Sequence, residues 1–517
     1  MKVSLALIIA AVIMFSIFNI IQKKSPQNLF IFRIKSISYT NLGSFAVRFK
    51  TWTAAVAAIS DKPILGYGLE NQYKVFTRFY DPTWSIYEAI NTVPDRAHNL
   101  IFDTLLTGGA INLIIYFLLL LLILVSGIKK LKNSKNSDWW LLYFIIISLF
   151  SFIFTLLTSF PVIETNIYFW LFIVFALLIF NDYRQSEFII NERRRLFSLL
   201  PSVIFLFLGI GIVYLIVFNI NSYRADYYYR LARMASNEGN YMQMFTDYVM
   251  ALKLNNHEYY YKWNFASDAM NTLDKVGSSE YRNRVLDFLL YKENLDYESD
   301  NDYSDLINKA RLLTLAGAYK DKKYFNDAEQ VFVKLNGINP FLPDNYKEWG
   351  RMYMYKGDYR KALKIFDLAI SILPENYNPQ LRTSVEMNFT HKGETDGFLN
   401  NIYNNMGYCH IKLNNYDKAI EYYKKVISFN PYYADGYRMI ADSYFMKKDY
   451  TNSLFYNQRI ISLFPDDFES NFNMALIYTK KKDKSNSLKY ARKALSLAPQ
   501  KSANAEILKK IILESGR

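Results

Sequence analysis

The sequence predicts an all-α protein in which a partial polytopic membrane helix bundle is followed by an α-solenoid. Two observations support this fold class. Long apolar segments are confined to the first 220 residues, and prolines recur at a fixed interval in the polar, tyrosine-rich remainder. We therefore expect a membrane domain over residues 1–220 and a helical repeat domain over residues 223–510.

Five apolar segments are long enough to cross a bilayer, which takes about 20 residues. For the first segment the alternative is a cleavable signal peptide. Its apolar core is longer than that of a signal peptide, and no small-x-small cleavage site follows it, so we expect an uncleaved span. The predicted spans are residues 3–21, 110–128, 139–160, 163–181 and 197–218.

The charges between these spans predict their orientation. Residues 127–138 carry four lysines and residues 181–195 carry four arginines, whereas residues 159–166 carry neither residue type. By the positive-inside rule the two basic loops are cytoplasmic. The N-terminus is then cytoplasmic, and both the large loop 22–109 and the repeat domain lie on the outer side.

The overall charge and the cysteine content exclude some classes of function. The net charge is +14, but many basic residues lie in short loops beside the spans or are scattered along helices. Membrane topology explains this charge better than nucleic-acid binding does. The single Cys409 excludes an intramolecular disulfide framework and a multi-cysteine metal site.

The C-terminal prolines mark a repeat. Pro340 and Pro374 are 34 residues apart, and so are successive members of the set Pro431, Pro465 and Pro499. This period, with small and aromatic residues at fixed offsets, is the tetratricopeptide signature. The clearest repeats are residues 307–340, 343–376, 400–433, 434–467 and 468–501.

Two parts of the array depart from this pattern. A degenerate unit around Ala232 and Tyr248 is expected to begin it. The interval from Pro374 to Pro431 is 57 residues, so about 23 extra residues are expected to form a loop or an irregular helix. Such an array presents a concave surface that typically binds a protein partner, and a sugar-binding face lined by tyrosine is the alternative.

The candidate site lies in the large outer loop. Residues 43–60 form a predicted amphipathic helix in which Arg48 and Trp52 share a face. Gly66 and Gly68 then mark a tight turn in the segment KPILGYGLENQY. The loop ends with PDRAHN, where Pro94 and Asp95 are a helix start signal with Asp95 as the expected N-cap.

This assignment places Arg96 and His98 in the first turn of a helix. The partial positive charge there favours an anion such as a diphosphate, with Arg48, Arg78 and Arg96 as candidate ligands. The same field keeps His98 neutral and able to accept a proton. The alternative is that His98 is a solvated or hydrogen-bonded histidine near the membrane interface, without a catalytic role.

The order of these motifs resembles the O-antigen ligase and polymerase family of bacterial integral-membrane glycosyltransferases, in a form fused to tetratricopeptide repeats. The resemblance covers about residues 1–180. The residues that match are Arg48, Trp52, Pro63, Gly66, Gly68, His98, Asn99, Leu105 and Gly109.

The resemblance implies transfer of a glycan from undecaprenyl diphosphate to an acceptor outside the cytoplasmic membrane, with no metal and no cofactor. The acceptor is a lipid A core sugar in ligases, a polysaccharide in polymerases and a protein hydroxyl in related enzymes. It further implies that Arg48 binds the diphosphate, with Arg78 and Arg96 assigned by position, and that His98 is the base that activates the acceptor.

Two departures from the family pattern affect this expectation. Asn112 stands where a second glycine usually follows Gly109. Members of the family have more spans than the five predicted here, so we expect the chain to be N-terminally truncated. The alternative function is a non-catalytic, membrane-anchored repeat scaffold for surface-polysaccharide or envelope assembly.

Overall fold

The computed structural model describes fourteen stretches of the chain, and every element in them is a helix. The predicted span 3–21 lies outside these residues, as do the start of the outer loop and most of the insertion after Pro374. The described residues are 44–69, 71–86, 90–133, 139–156, 163–180, 194–255, 259–273, 279–291, 302–375, 377, 397–429, 431, 433–498 and 503–515.

The chain divides into two compact units, Met1–Phe188 and Ile189–Arg517. The helices of the first unit are α1 (Ser44–Asp61), α2 (Gln72–Arg78), α3 (Leu100–Asn133), α4 (Trp139–Leu156) and α5 (Ile163–Phe180), with a short 3-10 helix at Pro82–Ile86.

Helix α1 is rich in alanine, the residue with the highest helix propensity. Ala54, Ala55 and Ala58 are buried on one side of α1, which packs against α2 and α3. Short side chains let the helices approach closely, so this face of α1 holds the segment around α2 against the start of α3.

Helices α3, α4 and α5 pack against one another. Their shared core consists of Ile123, Ile145, Leu149, Phe169, Ile173 and Ala176. Within the described residues, one helix is long and apolar enough to cross a membrane, Leu100–Lys129, and Tyr143–Leu156 and Ile167–Ala176 are shorter apolar helices. The five-span arrangement therefore stays a prediction.

The second unit begins with the 44-residue helix α6 (Arg194–Asn237). The domain boundary predicted near residue 220 falls inside this uninterrupted helix. Its C-terminal part belongs to the repeat core, where Ala225 and Ala232 are fully buried against the next helices. The apolar segment and the first repeat helix are thus one element.

The repeat array follows as antiparallel helices. They are α7 (Tyr241–Leu254), α8 (Tyr259–Thr272), α9 (Ser279–Leu290), α10 (Tyr303–Tyr319), α11 (Tyr324–Ile338), α12 (Pro343–Lys356), α13 (Tyr359–Ser371), α14 (Gly397–Lys412), α15 (Tyr416–Phe429), α16 (Ala434–Met446), α17 (Tyr450–Leu463), α18 (Phe468–Lys480), α19 (Lys484–Leu497) and α20 (Ala503–Ser515). Each of the five clearest predicted repeats overlaps two of these helices, although α10 and α14 begin before the predicted starts of their repeats, residues 307 and 400.

Glycines at one position explain the close pairing of these helices. A Cβ atom at Gly350 would collide with the ring of Phe366, and one at Gly407 would lie 2.7 Å from the ring of Tyr423. The second helix of several pairs is capped by an aspartate, and Asp358 accepts a hydrogen bond from the Lys361 N–H at 3.1 Å. The described part of the chain is therefore all-helical, with a tetratricopeptide-type solenoid.

Candidate functional site

Trp52 connects α1 to the segment that precedes α3. Its indole Nε1–H donates a hydrogen bond to the carbonyl oxygen of Ala97 at 2.8 Å. Its ring lies 5.9 Å from that of Phe102, between ring centroids. Arg48, one helical turn before Trp52, is thereby placed over the same segment.

Asp103 organises that segment from the other side. Its carboxylate accepts hydrogen bonds from the Ala97 N–H at 2.7 Å and from the Asn99 N–H at 3.3 Å. Ala97 is fully buried, and both its N–H and its carbonyl are satisfied, by Asp103 and Trp52. The backbone on either side of His98 is consequently held in one conformation.

The predicted N-cap is wrong. Helix α3 begins at Leu100, and the cap is Asn99, whose Oδ1 accepts hydrogen bonds from the Ile101 N–H at 3.0 Å and the Phe102 N–H at 3.2 Å. His98 has φ of 54°, a left-handed conformation outside any α-helix. Asp103 causes the difference, because its hydrogen bonds to the Ala97 and Asn99 N–H groups keep this segment in a turn.

His98 therefore lies just before the helix rather than in its first turn. Its Nε2 is 3.8 Å from Oδ1 of the exposed Asp95. The pKa of His98 is lowered, first by burial and then by the positive charges of Arg48 and Arg96, while Asp95 acts in the opposite direction. The expected neutral state of the imidazole thus has causes other than the helix dipole.

The structure brings together Arg48, Asp95, Arg96 and His98, since each of the three charged groups acts electrostatically on the imidazole. Arg78 is placed differently. It is an exposed residue at the end of α2, and its charge acts on Tyr67. Of the three arginines proposed from the sequence, Arg48 and Arg96 share the environment of His98.

Gly66 and Gly68 belong to a turn that packs against α3 where the helix is interrupted. At Gly109 the backbone leaves helical geometry, with φ of 65° and ψ of −163°. The helical bonds that Ala110 and Ile111 would donate to Leu106 and Thr107 are replaced by bonds with the turn. The replacements are Tyr67 N–H to Leu106 O, Gly68 N–H to Thr107 O, Ala110 N–H to Pro63 O and Ile111 N–H to Ile64 O.

This insertion requires glycine at two positions. A Cβ atom on Gly109 would collide with the carbonyl group of Ile64, and one on Gly66 would lie 2.6 Å from the carbonyl oxygen of Leu106. Both residues also have positive φ, which glycine adopts without strain. The two glycine motifs, far apart in the sequence, are therefore two sides of one backbone junction.

Sequence reasoning missed Asp103 and Gln72. The Nε2 of Gln72 donates to the Thr107 hydroxyl oxygen at 3.1 Å and to the Asp103 carbonyl at 3.4 Å, which fixes α2 on α3. A signal for Asp103 was present, since an ionisable residue in an apolar helix is rare and usually has specific partners. Gln72 had no such signal, because its partners are distant in sequence.

Several solved structures are similar to parts of this chain. A tetratricopeptide repeat protein from Parabacteroides merdae is 14% identical, covering 57% of this chain and 99% of its own, with a TM-score of 0.33. YrrB, described as a TPR protein with an unusual peptide-binding site, is 16% identical, covering 41% and 94%, with a TM-score of 0.30. MamA is 19% identical, covering 35% and 93%, with a TM-score of 0.28.

Family models match both parts of the chain, although no curated protein matches it. Residues 401–433 and 468–501 match tetratricopeptide repeat models. Residues 1–117, which include all the candidate site residues, match the O-antigen ligase model. A match to the O-antigen ligase model followed by matches to tetratricopeptide repeat models corresponds to the fusion that the sequence predicts.

Proposed function

We propose that this protein is an O-antigen ligase-like glycosyltransferase that moves a glycan from undecaprenyl diphosphate to a lipid A core or polysaccharide acceptor. The observation that carries the proposal is the environment of His98. The half-buried imidazole of His98 has a pKa that is lowered by burial and by the positive charges of Arg48 and Arg96. It lies within the segment that matches the O-antigen ligase family.

The proposed chemistry uses these groups in complementary roles. Neutral His98 accepts the proton of the acceptor hydroxyl, whose oxygen attacks the anomeric carbon of the donor glycan. The bond between that carbon and the diphosphate oxygen breaks, and undecaprenyl diphosphate leaves with both bonding electrons. Arg48 and Arg96 stabilise the negative charge on the leaving diphosphate, for which guanidinium groups are well suited.

The reaction would take place at the outer face of the cytoplasmic membrane. The proposed topology has five spans, a cytoplasmic N-terminus, and loop 22–109 and the repeats outside. Its support is the charge distribution around the apolar segments and the match to a family of membrane proteins. A reporter active only outside the cytoplasm should then work after Arg517 and fail at Lys132, and the reverse result would invert the topology.

We assign the repeats to binding a protein partner, because a solenoid of this kind exposes a large concave surface and typically binds peptides or proteins. The alternative function, a non-catalytic membrane-anchored scaffold for envelope assembly, is favoured by the size of this array. The two functions differ in what they require of the site around His98.

Substitution of His98 and Arg48 distinguishes the enzyme function from the scaffold function. In the full chain, His98→Ala and Arg48→Ala should each lower glycan transfer in isolated membranes by about 100-fold or more, as expected for loss of a general base or of charge stabilisation. Arg78→Ala tests the third arginine assigned to the diphosphate, and because its charge acts on Tyr67 we expect a smaller loss of transfer than in Arg48→Ala. Normal transfer by both site variants, at normal protein levels, would favour the scaffold.

A further inference from the structure

Helix α6 exposes apolar side chains along the segment that is predicted to span the membrane. The described side chains of this segment, other than its glycines, are all more than half exposed, namely those of Phe207, Ile210, Val213 and Tyr214. The helix continues without a break from this segment to Ala225, which is buried in the first repeat core. The helical rise of about 1.5 Å per residue therefore sets the distance of each repeat residue of α6 from the end of the predicted span at residue 218.

Just beyond residue 218, α6 exposes tyrosines. Ile220 is exposed, Tyr223 is 79% exposed and Tyr227 is 56% exposed, and their spacing of three and four residues places them on one face of the helix. Tyr223 lies about 8 Å beyond the end of the span and Tyr227 about 14 Å. Both side chains lean back towards the span, because Cα–Cβ bonds tilt towards the N-terminus of a helix. The polar layer on each side of a bilayer core is about 5–8 Å thick, so the rings reach this layer.

The connection between α7 and α8 lies at the same level as these tyrosines. The side-chain amide of Asn255, at the end of α7, donates a hydrogen bond to the Ser222 hydroxyl oxygen at 3.3 Å. Helix α8 starts nearby, and Tyr260 in its first turn is 54% exposed. This helix runs parallel to α6, since Arg233 further along α6 pairs with Asp268 further along α8. The side chain of Tyr260 therefore also leans towards the span.

The composition of this region suits the surface of a bilayer. Tyrosine is enriched where membranes meet water, because its ring is apolar and its hydroxyl is polar. Arg224 and Lys253 are exposed at the same level of α6 and α7. Residues 219–237 of α6 contain three arginines but one acidic residue, Asp226. Acidic lipid headgroups attract such a basic surface.

We propose that the first repeats dock in the headgroup layer of the leaflet from which α6 emerges, through a membrane-proximal edge formed by Ile220, Tyr223, Arg224, Tyr227, Lys253 and Tyr260. The partner of this edge is the lipid surface. The proposal rests on the topology proposed above and extends it by giving the repeats a contact with lipid. Because α6 and α8 are both anchored at one level, the first repeats stand on the membrane in a fixed orientation rather than on a flexible tether.

The depth of a spin label tests this contact in the full chain, reconstituted in vesicles of phosphatidylethanolamine and phosphatidylglycerol. Cys409→Ala first removes the native cysteine, and Tyr260→Cys then provides the labelling position. Power-saturation EPR measures access of the label to oxygen, which enters lipid, and to a water-soluble nickel chelate. The label should lose most of its access to the chelate while keeping access to oxygen. Met242→Cys is the matched control, because Met242 is 50% exposed at the opposite end of α7.

Two results at this position would overturn the docking. Equal access to the chelate in Tyr260→Cys and Met242→Cys would place the edge in water, and loss of access to both reagents would show that protein covers it. Adding Tyr223→Ser and Tyr227→Ser should raise the chelate access of the Tyr260→Cys label towards that of the control. An unchanged label would refute an anchoring role for these tyrosines.

A label at Tyr214→Cys separates failure of the docking from failure of the topology. Tyr214 lies inside the predicted span, so its label should be open to oxygen and closed to the chelate. If it is closed to the chelate while the Tyr260→Cys label is open to it, the span stands and the docking is refuted. If the Tyr214→Cys label is itself open to the chelate, the span is refuted, and the docking that rests on it fails with it.

Discussion

At the scale of single residues, the protonation state of His98 depends on the groups around it. Burial and two guanidinium groups lower its pKa, and one exposed carboxylate, that of Asp95, acts against them. A base must be neutral to accept a proton, so the lowered pKa extends the active range of pH downwards from the ordinary value of about 6.5.

The effect of the Asp95 carboxylate on the pKa of His98 predicts the direction in which the pH dependence of transfer should change. Because Asp95 stabilises the imidazolium, Asp95→Asn should lower the pKa of His98 further and shift the acid limb of kcat/KM to lower pH. For an exposed pair worth about 0.2–1 kcal/mol, the shift is about 0.2–0.7 pH unit. The pH profile of transfer, measured with membranes of each variant, reports it.

Asp81→Asn provides the control for this shift. Asp81 is an exposed carboxylate of the same loop, and its charge acts on Tyr80. Its substitution should leave the acid limb in place. A shift to higher pH in Asp95→Asn, or equal shifts in the two variants, would mean that His98 is not the group whose titration limits the reaction.

At the scale of elements, the site depends on helix α3, which is interrupted at Gly109 and whose missing hydrogen bonds are replaced by bonds to another segment. The turn Pro63–Gly68 supplies the hydrogen-bond partners that α3 loses at Gly109. Since Asp103 lies between this junction and the His98 turn, the same stretch of α3 positions both. The short motifs with glycine and the motif with histidine are therefore parts of one structure.

Gly109→Ala should release the turn from the helix. The combination of positive φ and extended ψ at Gly109 is almost restricted to glycine and alone costs an alanine about 1–3 kcal/mol, and the collision with the Ile64 carbonyl group adds to this. A change of 1.4 kcal/mol is a factor of ten, so native-state cleavage by chymotrypsin after Tyr67 should accelerate by more than about tenfold. The measurement is the initial cleavage rate in the full chain.

Gly357→Ala is the control for Gly109→Ala, because it introduces backbone strain away from the turn Pro63–Gly68. Gly357 also has positive φ, of 85°, but a Cβ atom there meets open space. It lies in the repeat array, so its substitution should leave cleavage after Tyr67 unchanged. If Gly109→Ala were cleaved no faster than Gly357→Ala, the interlocked turn would not be what holds this segment.

The repeats could be predicted from sequence because their determinants are local. Prolines, small residues and aromatic residues recur at fixed offsets, and each helix pair packs mainly on its neighbours. The start of α3 could not be predicted in this way, since the local signal at Pro94 and Asp95 is overridden by Asp103. The junction at Gly109 was also out of reach, because it consists of backbone hydrogen bonds between segments far apart in the chain.

At the scale of the whole molecule, the continuity of α6 determines where the repeat array can be separated from the membrane domain. The apolar segment predicted to span the membrane continues directly into a helix that packs on α7. Ala225, Ala232 and Ala235 of this helix are buried in the first repeat core. Arg233 also pairs with the half-buried Asp268 at 2.7 Å.

A repeat fragment should therefore need the second half of α6. We expect residues 223–517 to fold, whereas residues 238–517 lose these buried contacts and the ion pair between Arg233 and Asp268. Loss of the three buried alanine methyl groups should destabilise the first repeats by about 2 kcal/mol, at about 0.8 kcal/mol for each methyl group. Because each repeat contacts only its neighbours, the last repeats should be unaffected. Hydrogen exchange should thus accelerate in α7 and α8 of the shorter fragment and stay unchanged in α18 and α19, while equal protection of α7 and α8 in both fragments would contradict a structural role for α6.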